Sequence, residues 1–237
     1  MTEIKTLTAV VLAGGLGTRL RSVVADRPKV LADVCGRPFI TYLLDVLAES
    51  GVAEVVLATG HMADQIETCL GATYKSMNLR YSCEQERLGT GGAVRLGLPK
   101  ISNDLVLVMN GDSFCEIDLK AFIAHHQASS FDVSMAVRQV EDTARYGRVE
   151  FNADNQVLTF AEKVSGFAGE GWINAGMYLF PKHLVASIPD GKEVSMEREV
   201  LPGLLKQGVG SFQCHGRFID IGLPETLEEA QTFFAGM

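Results

Sequence analysis

The densest chemical signal in this chain is a run of three glycines within four residues, followed by an arginine: Gly14-Gly15-Leu16-Gly17-Thr18-Arg19-Leu20, with Arg27-Pro28-Lys29 behind it. Glycine tolerates positive φ and, lacking a Cβ, lets a ligand come close to the main chain. Successive N–H groups in such a turn form a concave anion site, reinforced where a helix starts at its far end. Arg19 adds a fork of donors suited to phosphate oxygens, and Lys29 a compact positive charge. Together they suggest a phosphate-bearing ligand. Two familiar phosphate motifs do not fit. No Lys-Ser or Lys-Thr follows the glycines as a Walker loop needs, and Gly15 to Leu20 ends in leucine where GxGxxG needs glycine. Two carboxylates could serve a metal. Asp112 follows the apolar run Leu105 to Met109 and Asn110-Gly111, and Asp220 follows Phe218-Ile219. A hard oxygen donor at a strand end suits Mg²⁺, which takes one or two carboxylates and fills its shell with water and phosphate oxygens. An aspartate there also caps turns, so each carboxylate alone leaves both readings open.

These groups need elements to place them. Leu7 to Leu12 is a short apolar run that reads as a strand buried on both faces. Pro38 to Ser50 is amphipathic and closed by Gly51, as helices often are. Glu54 to Ala58 reads as a strand, Met62 to Leu70 as a helix, Leu79 to Cys83 as a strand, Gly89 to Leu98 as a helix and Asp104 to Met109 as a strand. That alternation predicts a doubly wound, mainly parallel sheet with helices on both faces, with ligands beyond the carboxyl ends of the strands. From residue 131 the texture changes. Val133 to Val137, Gly147 to Phe151, Val157 to Glu162 and Ile173 to Phe180 read as strands that extend the sheet in antiparallel or mixed fashion. Pro181 to Ile188 and Met196 to Lys206 read as helices, the second interrupted at Pro202, and Pro224 to Phe234 as a closing helix. With no repeat or linker, residues 1–237 read as one α/β domain, with two lobes (1–130 and 131–237).

Composition narrows the class. A net charge of −8 lacks the basic excess that nucleic-acid or anionic-membrane binding requires. No apolar run reaches the roughly 18 residues needed to span a bilayer, and no signal-peptide pattern opens the chain. Five scattered cysteines without a CxxC are expected as core thiols in a reducing cytoplasm. His125-His126 is expected on an exposed helix end, and Trp172 as packing beside the ligand site.

The string GGxGTRL followed by Pro-Lys resembles the signature of the sugar-phosphate nucleotidyltransferases, and the resemblance runs along nearly the whole chain. It implies a Rossmann-like nucleotide-sugar transferase fold, with 1–130 as the nucleotide-binding lobe and 131–237 as the sugar-phosphate-binding lobe. Leu12, Ala13, Gly14, Gly15, Gly17, Thr18, Arg19 and Lys29 then correspond to the nucleotide-phosphate loop, with Arg19 and Lys29 neutralising the triphosphate. Leu88-Gly89-Thr90-Gly91-Gly92-Ala93 resembles the LGTxGA segment that lies against base and ribose, with Glu84 and Gln85 facing the base edge. Asn110-Gly111-Asp112 resembles the metal-binding step and Asp220 the second metal aspartate, which implies Mg²⁺. Tyr146-Gly147, Glu162-Lys163 and Asn174-Ala175-Gly176 match the sugar-side YG, EK and NxG motifs, with Lys163 on the sugar phosphate. Singly these could be a turn, a solvated ion pair and a bulge; their order after the first motifs ties them to the family.

The departures are small: Val30 and Ser22 stand where many members have proline. No left-handed β-helix follows residue 237, so a second acetyltransferase activity is not expected. GTRLRSVV, ERLGTGGA and Ser195-Met196-Glu197-Arg198-Glu199 are most similar to the guanylyltransferases acting on D-glycero-α-D-manno-heptose 1-phosphate, with mannose-1-phosphate guanylyltransferases close by. Uridylyl- or thymidylyltransferases of hexose 1-phosphates are the related alternative. A nucleotide-sugar-binding regulatory subunit is the non-catalytic one. The expected partners are GTP, a sugar 1-phosphate and a second copy in a homodimer, in a cytoplasmic enzyme feeding capsule or surface polysaccharide.

Overall fold

The computed structural model describes residues 6–15, 17–20, 22–161 and 169–236. Its strands are β1 (Leu7–Leu12), β2 (Asp33–Val34), β3 (Arg37–Pro38), β4 (Glu54–Thr59), β5 (Thr73–Tyr74), β6 (Met77–Cys83), β7 (Leu105–Asn110), β8 (Ser113–Cys115), β9 (Val133–Val140), β10 (Arg148–Phe151), β11 (Val157–Ala161), β12 (Gly171–Pro181), β13 (Val209–Cys214) and β14 (Phe218–Asp220). The helices are α1 (Ile40–Ser50), α2 (Ala63–Leu70), α3 (Gly89–Gly97), α4 (Leu119–Ala128), α5 (Lys182–Ser187), α6 (Leu201–Leu204) and α7 (Pro224–Phe234).

Ten strands form one sheet, along the order β11-β10-β12-β7-β1-β4-β6-β5, with β9 beside β12 and β13 beside β9. The centre is parallel: β1 lies between β4 and β7, and β4 pairs with β6. Along β1, Leu7, Ala9 and Val11 enter one core and Val10 the other. β4 and β7 alternate in the same way, which is why these strands read as unbroken apolar runs. One core is covered by α1, α2, α4 and α7, the other by α3, α5 and α6. Gly51 ends α1 in the left-handed region (φ 93°). Its N–H donates to Ala48 O, and the Val52 N–H reaches back to Leu47 O. The ring of Phe234 on α7 stacks on Tyr42 of α1 at 3.9 Å.

The chain leaves β1 toward β4 and β6, then returns to β7 on β1's other side. The sheet therefore has its topological switch point between β1 and β7, where crevices open beyond the strand ends. As expected, the second half adds antiparallel strands: β12 pairs with β7 and β9, and β10 with β11, although β13 joins β9 in parallel. Sheet pairing runs across residue 130 without a break.

Several local expectations are corrected. Met196–Val200 is a π-turn that runs straight into α6, and Pro202 falls in the first turn of α6, where its missing N–H removes no helix bond. Cys115 and Cys214 are core thiols, with Sγ atoms 2.9 Å apart, but Cys35, Cys69 and Cys83 are exposed. His125 and His126 are half-buried rather than at the surface. The ring of His125 packs on Phe212, and Nδ1 of His126 lies 2.8 Å from Ser134 Oγ. Burial lowers the His126 pKa. Trp172 packs edge-on against Phe151 and His215. Among the described residues no helix is long and apolar enough to cross a membrane.

Candidate active site

A cleft of about 1040 Å³ opens at the switch point. Its lining takes in Leu12, Gly14, Gly15, Gly17, Thr18, Arg19, Lys29, Glu84, Gln85, Gly89, Thr90, Asn110 and Asp112, so most of the nucleotide-side residues read from the sequence converge here. Ala13 and Gly111 do not line it. Ala13 is buried with its N–H on Ala58 O, and Gly111 donates to Leu12 O at 2.9 Å. A Cβ on Gly111 would lie 2.4 Å from that carbonyl, so glycine here lets β1 and β7 close together.

The phosphate-loop expectation needs one amendment. Among the described residues no α-helix follows the glycine turn directly; Thr18–Leu20 is a single 3₁₀ turn, with Gly17 at φ 57° before it. The helix-dipole share of any anion attraction is therefore small, because a single turn aligns few peptide dipoles. Positive charge must come from Arg19, which is exposed at the cleft, and from Lys29. Lys29 Nζ forms an ion pair with Asp112 Oδ2, joining the two regions that the sequence singled out.

Asp220 reaches the same neighbourhood through a strand pair. β14 runs antiparallel to β8 with Asp220 opposite Ser113, and the Ile221 N–H donates to Asp112 O at 2.9 Å. Oδ2 of Asp220 accepts from the Tyr146 hydroxyl at 2.8 Å and lies 3.6 Å from Arg145, while Oδ1 accepts from Gly222 N–H. Burial, with the adjacent Asp220 charge, pushes the Tyr146 phenol up. Among the described residues no cluster of three or more His, Cys, Asp or Glu side chains could hold a metal. Two carboxylates alone fit a hard ion completed by water and substrate oxygens, and suit thiophilic metals poorly.

Gly147, Asn174 and Gly176 of the sugar-side set are not on the cleft's lining. Asn174 and Gly176 occupy a register shift in β12, with Gly176 at φ 74°, so the segment is indeed a bulge. It is also packed on the site, since a Cβ at Gly176 would meet Asn110 Nδ2 at 2.8 Å. Gly147 lies at the start of β10 and accepts from Asn174 N–H. Glu162 and Lys163 lie outside the described residues.

Glu84 lines the cleft and also makes contacts within the protein. Its Oε2 accepts from Leu88 N–H at 3.0 Å, and its Oε1 sits where a Cβ on Gly60 or Gly14 would come within 2.9 or 3.2 Å. Burial, countered by that N–H, raises its pKa. The carboxylate thus braces the two glycine segments against each other, while Glu84 and exposed Gln85 both line the cleft.

The sequence singled out Ser195 to Glu199 only as a mark of the guanylyltransferases and did not place it on the far wall. Glu193, Ser195, Glu197, Arg198 and Glu199 line the cleft from a strap laced to residues 88–92. Gly91 and Gly92 N–H groups donate to Val194 O, and Val194 N–H donates to Leu88 O. The available signal was the glycine spacing of 89–92, which demanded a close neighbour without saying which.

The nucleotidyl transferase family matches residues 8–236, and the chain belongs to that family. It is 35% identical over 226 residues to a D-glycero-α-D-manno-heptose 1-phosphate guanylyltransferase of Aneurinibacillus thermoaerophilus, covering 95% of this chain and 97% of that protein. A mannose-1-phosphate guanylyltransferase of Mycobacterium tuberculosis is 35% identical over 221 residues, but this chain spans only 61% of its length. The crystal structure of HddC from Yersinia pseudotuberculosis superposes with a TM-score of 0.85 at 36% identity, covering 96% of this chain and 99% of that one. The same protein complexed with GMP-PN gives 0.83 at 35% identity. The chain is thus a sugar 1-phosphate nucleotidyltransferase on a mixed, mainly parallel sheet.

Proposed function

We propose that this enzyme transfers the guanylyl group of GTP to D-glycero-α-D-manno-heptose 1-phosphate, releasing pyrophosphate and giving a GDP-heptose. The observation that supports the sugar assignment is that heptose 1-phosphate guanylyltransferases stand among its relatives at 35% and 33% identity over 95% and 92% of this chain. The guanine assignment is supported by the guanylyltransferase names of those relatives and by the GMP-PN complex of HddC.

The attacking oxygen belongs to a phosphate already anionic at neutral pH, so no general base is needed. Catalysis then rests on holding the two phosphates in line and on stabilising charge. Arg19 and Lys29 are placed to neutralise the triphosphate and its leaving pyrophosphate, while Asn110 and the bulge at Gly176 shape the passage toward the sugar side. Asp112 and Asp220 would hold Mg²⁺, which supplies a positive charge to the phosphate oxygens. Tyr146, Arg145 and Gly222 N–H orient Asp220 for that role. We assign Lys163 to the sugar phosphate and Glu162 to the sugar hydroxyls. The GDP-sugar product suits capsule or surface polysaccharide assembly in the cytoplasm.

The test is pyrophosphate release with Mg²⁺, offering GTP, ATP, CTP and UTP against heptose, mannose and glucose 1-phosphates. Fast release only with GTP and the manno-heptose 1-phosphate is the expected result. Release with another pair would overturn the substrate assignment. No release with any pair, alongside nucleotide binding, would favour a regulatory subunit.

A further inference from the structure

Granted the transfer proposed above, the nucleotide and the sugar phosphate sit against different walls of the site, and one side chain ties those walls together. Glu197 is half-buried on the π-turn before α6. Its Oε2 accepts from Thr90 Oγ1 at 2.8 Å and from Ser195 Oγ at 3.2 Å. Its Oε1 accepts from the hydroxyl of fully buried Tyr178 at 3.4 Å. That hydroxyl accepts in turn from Asn174 Nδ2 at 2.5 Å, and Asn174 Oδ1 accepts from Gly176 N–H at 2.9 Å. At the other end Thr90 Oγ1 also accepts from Met196 N–H, so its hydrogen-bonding capacity is turned to the strap.

An unbroken relay therefore runs from the start of α3, which the nucleotide faces, to the β12 bulge, which packs on Asn110. Polar networks in a low-dielectric interior reinforce one another and fix geometry when their members are satisfied. We infer that Glu197 is a positioning residue for the transfer, coupling occupation of the nucleotide wall to the order of the Asn174-Ala175-Gly176 bulge on the sugar side. In-line transfer is sensitive to such placement, because an ångström of misalignment can cost about a hundredfold in rate.

The test pairs hydrogen exchange of the full chain with kinetics. A non-hydrolysable GTP analogue with Mg²⁺ should slow amide exchange at both 88–92 and 174–178 in the wild type. In Glu197→Ala it should slow exchange at 88–92 alone. In turnover, Glu197→Ala should lower kcat/KM for the sugar 1-phosphate by about tenfold or more while KM for GTP moves by less than about threefold. Tyr178→Phe, which removes only a hydroxyl, should give the same pattern more weakly, and adding it to Glu197→Ala should change little further. An unchanged response at 174–178 in Glu197→Ala overturns the relay, as does a response at neither segment in the wild type. A collapse of GTP affinity would mean that Glu197 contacts the nucleotide directly, which also overturns it. A wild type that binds the analogue but turns over no substrate pair defeats the proposed function instead, and the exchange experiment still decides the relay.

Discussion

Two glycine-rich segments face each other across the same cleft, and their glycines answer to different constraints. In the turn after β1, a Cβ on Gly15 would meet nothing within 4 Å, so that glycine leaves open space at the cleft. In the segment that starts α3, Gly89 and Gly92 are hemmed in by the protein itself. A Cβ would lie 2.6 Å from Val194 O at Gly89, and 2.5 Å from Lys192 O at Gly92. Gly14 is itself crowded by Glu84 and Gly60, but the open side at Gly15 suits the approach of a ligand, whereas Gly89 and Gly92 admit the strap that forms the opposite wall. Glycine thus leaves open space at Gly15 and permits an internal packing interface at Gly89 and Gly92.

The contrast can be broken by adding one methyl group to each side. Gly92→Ala should carry the largest effect, because a backbone carbonyl must move. A loss of about 2–3 kcal/mol is expected, lowering Tm by roughly 5–10 °C for a chain of this size. A thermal melt unchanged from wild type would remove the packing account. Gly15→Ala should leave folding intact or slightly firmer, by at most about 1 kcal/mol, while weakening nucleotide binding by roughly tenfold. Titration calorimetry showing unchanged affinity would mean that the open turn is not the phosphate loop. Glu84, which braces the two segments, offers the smallest and most diagnostic change. Its raised pKa means that the folded state holds this proton more tightly than the unfolded chain. The stability contributed by this group therefore falls as pH rises from the ordinary carboxylate range through the raised value. Glu84→Gln keeps an acceptor for Leu88 N–H, so it should melt above wild type near about pH 7.5 and lose that advantage at about pH 4. The opposite pH trend would show that the carboxylate is stabilised rather than strained.

What could be read from the sequence followed from the same distinction. Strands buried on both faces announce themselves as apolar runs, so β1, β4 and β7, and their carboxyl ends as the ligand side, were legible. So were the glycine turn and the two aspartates at strand ends. Elements whose meaning lies in a distant partner were not. The strands β8 and β13 are short and ordinary in composition; they gain their role only by pairing with β14 and β9. The strap at 193–199 carries no turn chemistry or periodicity of its own, and Glu197 matters only because folding sets it against Thr90 and Tyr178. Cys115 and Cys214, 99 positions apart, touch for the same reason.

In the proposed transfer, the Lys29–Asp112 pair at the switch point carries the chemistry of the cleft. This is tested most directly by comparing pyrophosphate release of Asp112→Asn with wild type, under saturating GTP, sugar 1-phosphate and Mg²⁺. Asparagine keeps the shape and removes the charge. The account predicts a fall of about a hundredfold or more, with Tm within about 3 °C of wild type, since a partly exposed ion pair adds little to stability. Turnover within about twofold of wild type would contradict it.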